Sequence, residues 1–294
     1  MSNKDLYTEI TEKIMGMLSQ GIIPWKKPWS TNGCDMPQNF ISKKFYRGVN
    51  VWLLCSAYKS NFWLTYNQAK KIGGNIKAGE KGTRIYFRQI LVSSKDKNGK
   101  QLVDSNGNKT TKSFPMLKTF TVFNVEQCEN IKLPEIKVIE STPKEKISKC
   151  ENVVNSFSSM PEIMQSNRAS YVPSMDVINM PKMDDFVNSE SYYATLFHEI
   201  VHSTGSKNRL NRDLDTNFGS HAYSKEELVA ELGSSFLNFQ CGIDNVTMEN
   251  SVAYIQNWMQ VLKNDIKFFM NASSLAQKAV DYILGTKFEE STED

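Results

Sequence analysis

The chain has 294 residues, 40% of them apolar and 23% charged, the composition of a globular protein long enough for two domains. No apolar run approaches the roughly 20 residues of a membrane span, and the N-terminus has no signal-peptide core. Five cysteines without Cys-x-x-Cys spacing argue against a disulfide framework or a thiolate zinc site, so a reducing, cytoplasmic setting is expected.

The net charge of +3 conceals an asymmetry. Residues 1–135 hold 21 Lys+Arg against 10 Asp+Glu, and the remainder holds 14 against 22. A basic half joined to an acidic half implies that only the first meets a polyanion.

Residues 4–20 place Leu6, Ile10, Ile14 and Leu18 at helical spacing, with Gly21 as the stop. The segment PWKKPW at 24–29 reads as extended. Helices are expected over 47–59 and 65–72, the latter with Thr65 as N-cap. Thr83–Val92 and Phe114–Val125 alternate as strands. The polar stretch between them carries Asn98-Gly99 and Asn106-Gly107, turn signals that predict a protruding hairpin. Residues 136–148, charged and proline-containing, read as a linker between domains at 1–135 and 149–294. In the second half we expect a helix near 149–160, a strand-like 169–180 and a helix over 189–204. A polar loop to about 223 and helices over 224–241, 247–270 and 272–284 follow. The class is α+β, with a mixed first domain and a mainly helical second domain carrying a small sheet.

The chemistry concentrates in YYATLFHEIVHSTG at 192–205. His198 and His202, four apart, project from one helix face and can hold one zinc ion. Glu199 lies where a carboxylate can take a proton from water activated by the metal. Catalytic zinc usually takes a third protein ligand. Asn208 stands where a metzincin would have its third histidine, and His221 lies in a polar loop and is not assigned. The helix SKEELVAELGSSFL offers Glu227 and Glu231 on a common face. One of them can bind zinc while the other orients a ligand histidine from behind. Glu226 reads as part of a solvated charged face. The Glu-x-x-Ala-acidic pattern resembles the glutamate zincins, which implies Glu227 as ligand and Glu231 as the orienting carboxylate.

In the first half, cations alternate with aromatics: Trp25, Lys26, Lys27 and Trp29; Lys43, Lys44, Phe45, Tyr46 and Arg47; Lys81, Arg84, Tyr86, Phe87 and Arg88. Binders of single-stranded nucleic acid need both, cations for phosphates and ring faces for unpaired bases. Each tryptophan by itself is as well explained as a core residue.

Together these motifs resemble the ArdC-like antirestriction proteins of plasmids and phages. The similarity rests on YTEITEKIMGMLSQGIIPWKKPW, FYRGVNVWLL and FWLTYNQAKKIGGNIKAGEKGTRIYF in the first half. YVPSMDVINMP, YYATLFHEIVHSTG, RLNRDL and YSKEELVAELGSSFLNFQCGI carry it in the second. The resemblance implies an N-terminal single-stranded DNA-binding domain, a C-terminal zincin-like metallopeptidase domain with zinc, and a role in protecting incoming DNA from restriction. A protein or peptide substrate would accompany the peptidase. The rival is a DNA-coating module whose metal site is structural or vestigial.

Overall fold

The computed structural model describes residues 3–26, 36–54, 58, 60–95, 100–105, 108–132, 142–214, 221–243 and 252–286. Helix α1 (Asn3–Ser19) buries Leu6, Ile10, Ile14 and Leu18 along one stripe, and Gly21 ends it with a positive φ of 75°. A 3-10 turn at Pro24–Lys26 follows. Then come β1 (Gln38–Asn39), α2 (Val49–Leu54), β2 (Phe62–Thr65) and α3 (Tyr66–Lys71). Thr65 caps α3 as expected: its side chain accepts from Gln68 N, and the Gln68 side chain accepts from Thr65 N.

Strands β3 (Asn75–Ile76) and β6 (Cys128–Glu129) pair with each other, while β4 (Thr83–Ser93) and β5 (Lys112–Asn124) form the long antiparallel hairpin. Short pairings at Lys95–Gln101 and Val103–Lys109 flank the two Asn-Gly pairs, which lie outside the described residues. The main sheet runs β1-β2-β5-β4, so β4 is an edge strand.

The helix expected near 149–160 begins earlier. Thr142 and Glu145 form a capping box and Pro143 sits in the first turn, so α4 runs Pro143–Ser156 and includes residues 143–148. A proline at that position starts a helix, because the N–H it lacks would be unpaired there anyway. A three-stranded sheet follows in the order β7-β9-β8, from β7 (Glu162–Gln165), β8 (Ser170–Val172) and β9 (Val177–Met180). Helices α5 (Ser189–Ser203), α6 (His221–Cys241), α7 (Val252–Asn264) and α8 (Phe268–Ile283) complete the chain. The single helix expected over 247–270 is divided where Asp265 turns the backbone and its side chain accepts from Lys267 N at 2.9 Å. Among the described residues, no helix is long and apolar enough to cross a membrane.

One apolar core runs through both halves. Trp25, fully enclosed, packs edge-on against Trp258 with centroids 6.3 Å apart and lies 5.5 Å from Phe269. Trp52 packs on Phe236 at 4.7 Å. Thr11 Oγ1 donates to Ile266 O at 2.8 Å, fixing α1 to the turn between α7 and α8. Residues 3–25 are therefore built into the C-terminal helices. Trp25→Ala is expected to cost about 3–5 kcal/mol, as for a large core aromatic. Phe87→Ala, at 40% exposure, should cost no more than about 1 kcal/mol. Thermal or urea melts of the two variants check the contrast.

Candidate metal centre

The centre is built where α5 crosses α6. Asn188 caps α5 by accepting from Ser191 N at 2.8 Å, and Phe197, Ile200 and Val201 are fully buried on its inner face. On α6, Gly233 sits so close to α5 that a Cβ there would lie 2.8 Å from Val201 Cγ1. That close approach sets Glu227 against the two histidines of α5.

His198 Nε2 and His202 Nε2 lie 3.1 Å apart, and Glu227 reaches them with Oε2 at 3.6 Å and Oε1 at 3.7 Å. Donors about 2.0–2.1 Å from a tetrahedral zinc stand about 3.3 Å from one another. These three side chains are therefore spaced as one ion's ligands, and among the described residues they form a group able to hold a metal. Their side chains are 14–28% exposed, which leaves a fourth position open to solvent. Two imidazoles and a carboxylate suit a borderline divalent ion.

Glu199 is buried beside this group, and its Oε2 accepts from Tyr171 N at 2.7 Å. Strand β8 thereby holds the carboxylate. The Tyr171 hydroxyl donates to Asp176 at 2.7 Å, and Arg209 grips Asp176 with two bonds of 2.7 and 3.0 Å. That pairing holds the Asp176 carboxyl below its usual range.

The carboxylate behind a histidine is Glu226, which the sequence had placed on a solvated face. It is 8% exposed, and His202 Nδ1 faces its Oε1 at 3.2 Å. With the proton on Nδ1, Nε2 presents its lone pair to the group. Arg212 donates to both Glu226 oxygens at 2.9 and 2.7 Å, and also to Val201 O and Thr204 Oγ1 at the end of α5, each at 2.8 Å. Burial would raise the Glu226 carboxyl, but bonds from Arg212 and His202 outweigh it and hold the group below the usual range.

Glu231 does something else. Its Oε2 accepts from Trp25 Nε1 at 2.7 Å and from the Tyr254 hydroxyl, not from a histidine. Burial pushes its carboxyl upward. Glu231 thus ties the N-terminal segment to the helix that carries Glu227. Tyr223, also missed by the sequence reading, lies in the first turn of α6 and hydrogen-bonds Glu227; burial, then Glu227, raises its phenol to about 12. His221 opens α6, and its side chain lies outside those described.

The residues expected to meet DNA are dispersed. Trp25 and Tyr46 are core residues at 0% and 8% exposure, so neither offers a ring face to a base. Arg47 pairs with Asp281 and Arg84 with Glu9. Lys43, Lys44 and Lys81 are exposed, and Lys43 Nζ lies 4.3 Å from the Phe40 ring centre. Lys27 and Trp29 fall outside the described residues, as do the side chains of Lys26 and Arg88.

The crossed helices with their small sheet make the second half a zincin-like metallopeptidase domain, and the family profile of that description matches residues 149–275. The profile of the N-terminal domain of the anti-restriction factor ArdC matches residues 4–123. A crystal structure of metal-free antirestriction ArdC protein from plasmid R388 superposes with a TM-score of 0.75 at 32% identity, covering 96% of this chain and 97% of that one. Its Mn(II)-bound form gives 0.72 at 31% identity over the same shares. The chain belongs to the ArdC-like antirestriction family. An uncharacterised protein, y4eC, of Sinorhizobium fredii is 30% identical over 287 residues, or 91% of its length. A protein named DNA primase TraC from Escherichia coli is 33% identical over 291 residues, but this chain spans only 27% of it.

Two substitutions separate the carboxylates. Glu226→Gln strands the buried Arg212 charge, which should cost about 3–5 kcal/mol and weaken divalent-metal binding about 10–100-fold. Glu231→Gln keeps an acceptor for Trp25 and Tyr254 and should leave metal binding nearly unchanged. Their pH dependences have opposite signs. Ionised Glu226 stabilises the fold above its ordinary range, and that contribution disappears as pH falls through the lowered value. Neutral Glu231 stabilises below its ordinary range, and its contribution fades as pH rises through the raised value, so Glu231→Gln should gain on the parent toward neutrality. Metal titration and melting against pH check both, and equal metal loss in the two variants contradicts the assignment.

Proposed function

We propose that this protein binds single-stranded DNA and carries a zinc-dependent hydrolytic site of the peptidase type, acting in antirestriction for a mobile element. The observation behind the site is the convergence of His198, His202 and Glu227 beside a buried Glu199. A divalent cation held there would polarise water and a substrate carbonyl. Glu199 would act as general base, its position fixed by the Tyr171 main chain, and Glu226 would keep His202 in the tautomer that presents Nε2. Tyr223 keeps its proton at neutral pH and can donate it toward Glu227. Mn(II) in the related plasmid structure supports a divalent ion and leaves zinc as our choice among them.

Single-stranded DNA binding draws on the net +11 of residues 1–135. The continuous core makes the full chain the proper test object, because residues 1–135 alone would lack the helices that enclose Trp25.

A second reading keeps the DNA binding and makes the metal structural. It is favoured by one observation, that Glu199 is only 8% exposed and already accepts a main-chain hydrogen bond. The two readings part on one set of variants. His202→Ala should abolish stoichiometric zinc, measured by elemental analysis. Glu199→Gln should retain zinc and lose hydrolysis of a generic unfolded substrate such as casein. A zinc-loaded parent that does not hydrolyse casein, with Glu199→Gln protecting incoming DNA as well as the parent, would leave only the structural role.

A further inference from the structure

The hairpin β4–β5 carries a surface that the candidate metal centre does not use. Residues 83–122 hold 8 Lys+Arg against 2 Asp+Glu, so 40 residues supply a net +6, over half the excess of the basic half. The register pairs Ile85 with Phe120 and Phe87 with Lys118, and Met116 lies two residues from Lys118 along β5, which places these five side chains on one face. The opposite face turns Tyr86 and Leu117 into the main core. At the base of the first face, Ile85 and Val122 are covered by Tyr46, Leu54 and Trp63. Beyond that cover Phe87, Phe120 and Met116 remain 40%, 38% and 38% exposed. The two rings meet edge-on with centroids 5.6 Å apart, and Lys118 Nζ lies 5.1 Å from the Phe120 ring centre.

We propose that this outward face of β4–β5, with Phe87, Phe120 and Lys118 at its centre, is where single-stranded DNA stacks. The proposal rests on the DNA-binding reading and gives it a location. Two aromatic rings exposed on one sheet face can each take a base, and the Lys118 ammonium beside Phe120 can reach a neighbouring phosphate. A duplex keeps its bases stacked and offers the rings nothing. A protein partner matching the apolar patch would have to bury Lys118 and meet the field of a +6 hairpin, whereas a polyanion is drawn by both. The same geometry explains why Trp25 and Tyr46 could be spent on the core: stacking does not depend on them.

The test uses the full chain and a fluorescein-labelled oligothymidylate at moderate salt, read by anisotropy. The parent should bind. The double variant Phe87→Ala, Phe120→Ala should bind at least about fivefold more weakly for each ring removed, with metal content unchanged. Lys118→Ala should reduce the salt slope of log K by about 0.7. Should the double alanine variant not fold, the pair Phe87→Tyr, Phe120→Tyr keeps both rings and must bind like the parent, while Lys118→Glu must weaken binding. Lys144→Glu, an exposed charge swap on α4, must leave binding intact. A parent that binds, with ring and Lys118 variants that bind equally well, overturns the location and leaves the DNA reading standing. Equal loss in Lys144→Glu reduces the effect to bulk charge and overturns it too. A parent that does not bind overturns both.

Discussion

The crossing of α5 and α6 is the constraint on which this structure depends. His198 and His202 come from one helix and Glu227 from the other, so their convergence requires the two backbones to approach more closely than ordinary side chains allow. Gly233 provides that approach, with no Cβ to strike Val201. Arg212 then fastens the crossing from the far side by bonding Val201 O and Thr204 on α5 and both oxygens of Glu226 on α6. A bidentate guanidinium–carboxylate pair withdrawn from water is costly to form and more costly to break on one side only. It therefore serves orientation more than net stability, and what it orients is the Glu226 carboxylate behind His202.

Glu231 extends the same helix in the other direction. By accepting from Trp25 and Tyr254 it makes the N-terminal segment part of the packing of α6, and Ser235 Oγ repeats the tie by donating to Trp25 O at 2.7 Å. Two sequence families meet along this chain, but they share one core. A change in residues 20–26 therefore reaches α6 through a hydrogen bond, without having to propagate through a flexible joint.

Features carried by local spacing were legible in the sequence. His198, Glu199 and His202 follow from the i, i+4 rule, Thr65 from its capping partner Gln68, and the hairpin from two Asn-Gly pairs between alternating strands. What escaped depends on tertiary neighbours. Glu226 stands between a lysine and a glutamate in the sequence, and nothing local reveals that Arg212, fourteen positions earlier, folds back over it. Glu231 shares a helix face with Glu227, but spacing does not say which donor it meets. Trp25 between a proline and two lysines looks like a stacking platform, and only the C-terminal helices show that it is enclosed. Strand β7 has no alternation to read, because all four of its residues are exposed.

The opposite shifts of Glu226 and Glu231 follow from their partners. Around the two imidazoles stand the carboxyl groups of Glu226, Glu227 and Glu231, with Arg212 beside the first of them. Withdrawing a carboxylate from water is expensive unless a cation or hydrogen bonds compensate it. Burial against neutral donors pushes the Glu231 carboxyl upward, while the bonds from Arg212 hold Glu226, five residues earlier, below its usual range. The Trp25 indole can hydrogen-bond a neutral carboxyl as well as a charged one, whereas a guanidinium cannot compensate a neutral Glu226. Placing the arginine beside Glu226 and the indole beside Glu231 therefore decides which carboxylate supports His202 and which belongs to the core.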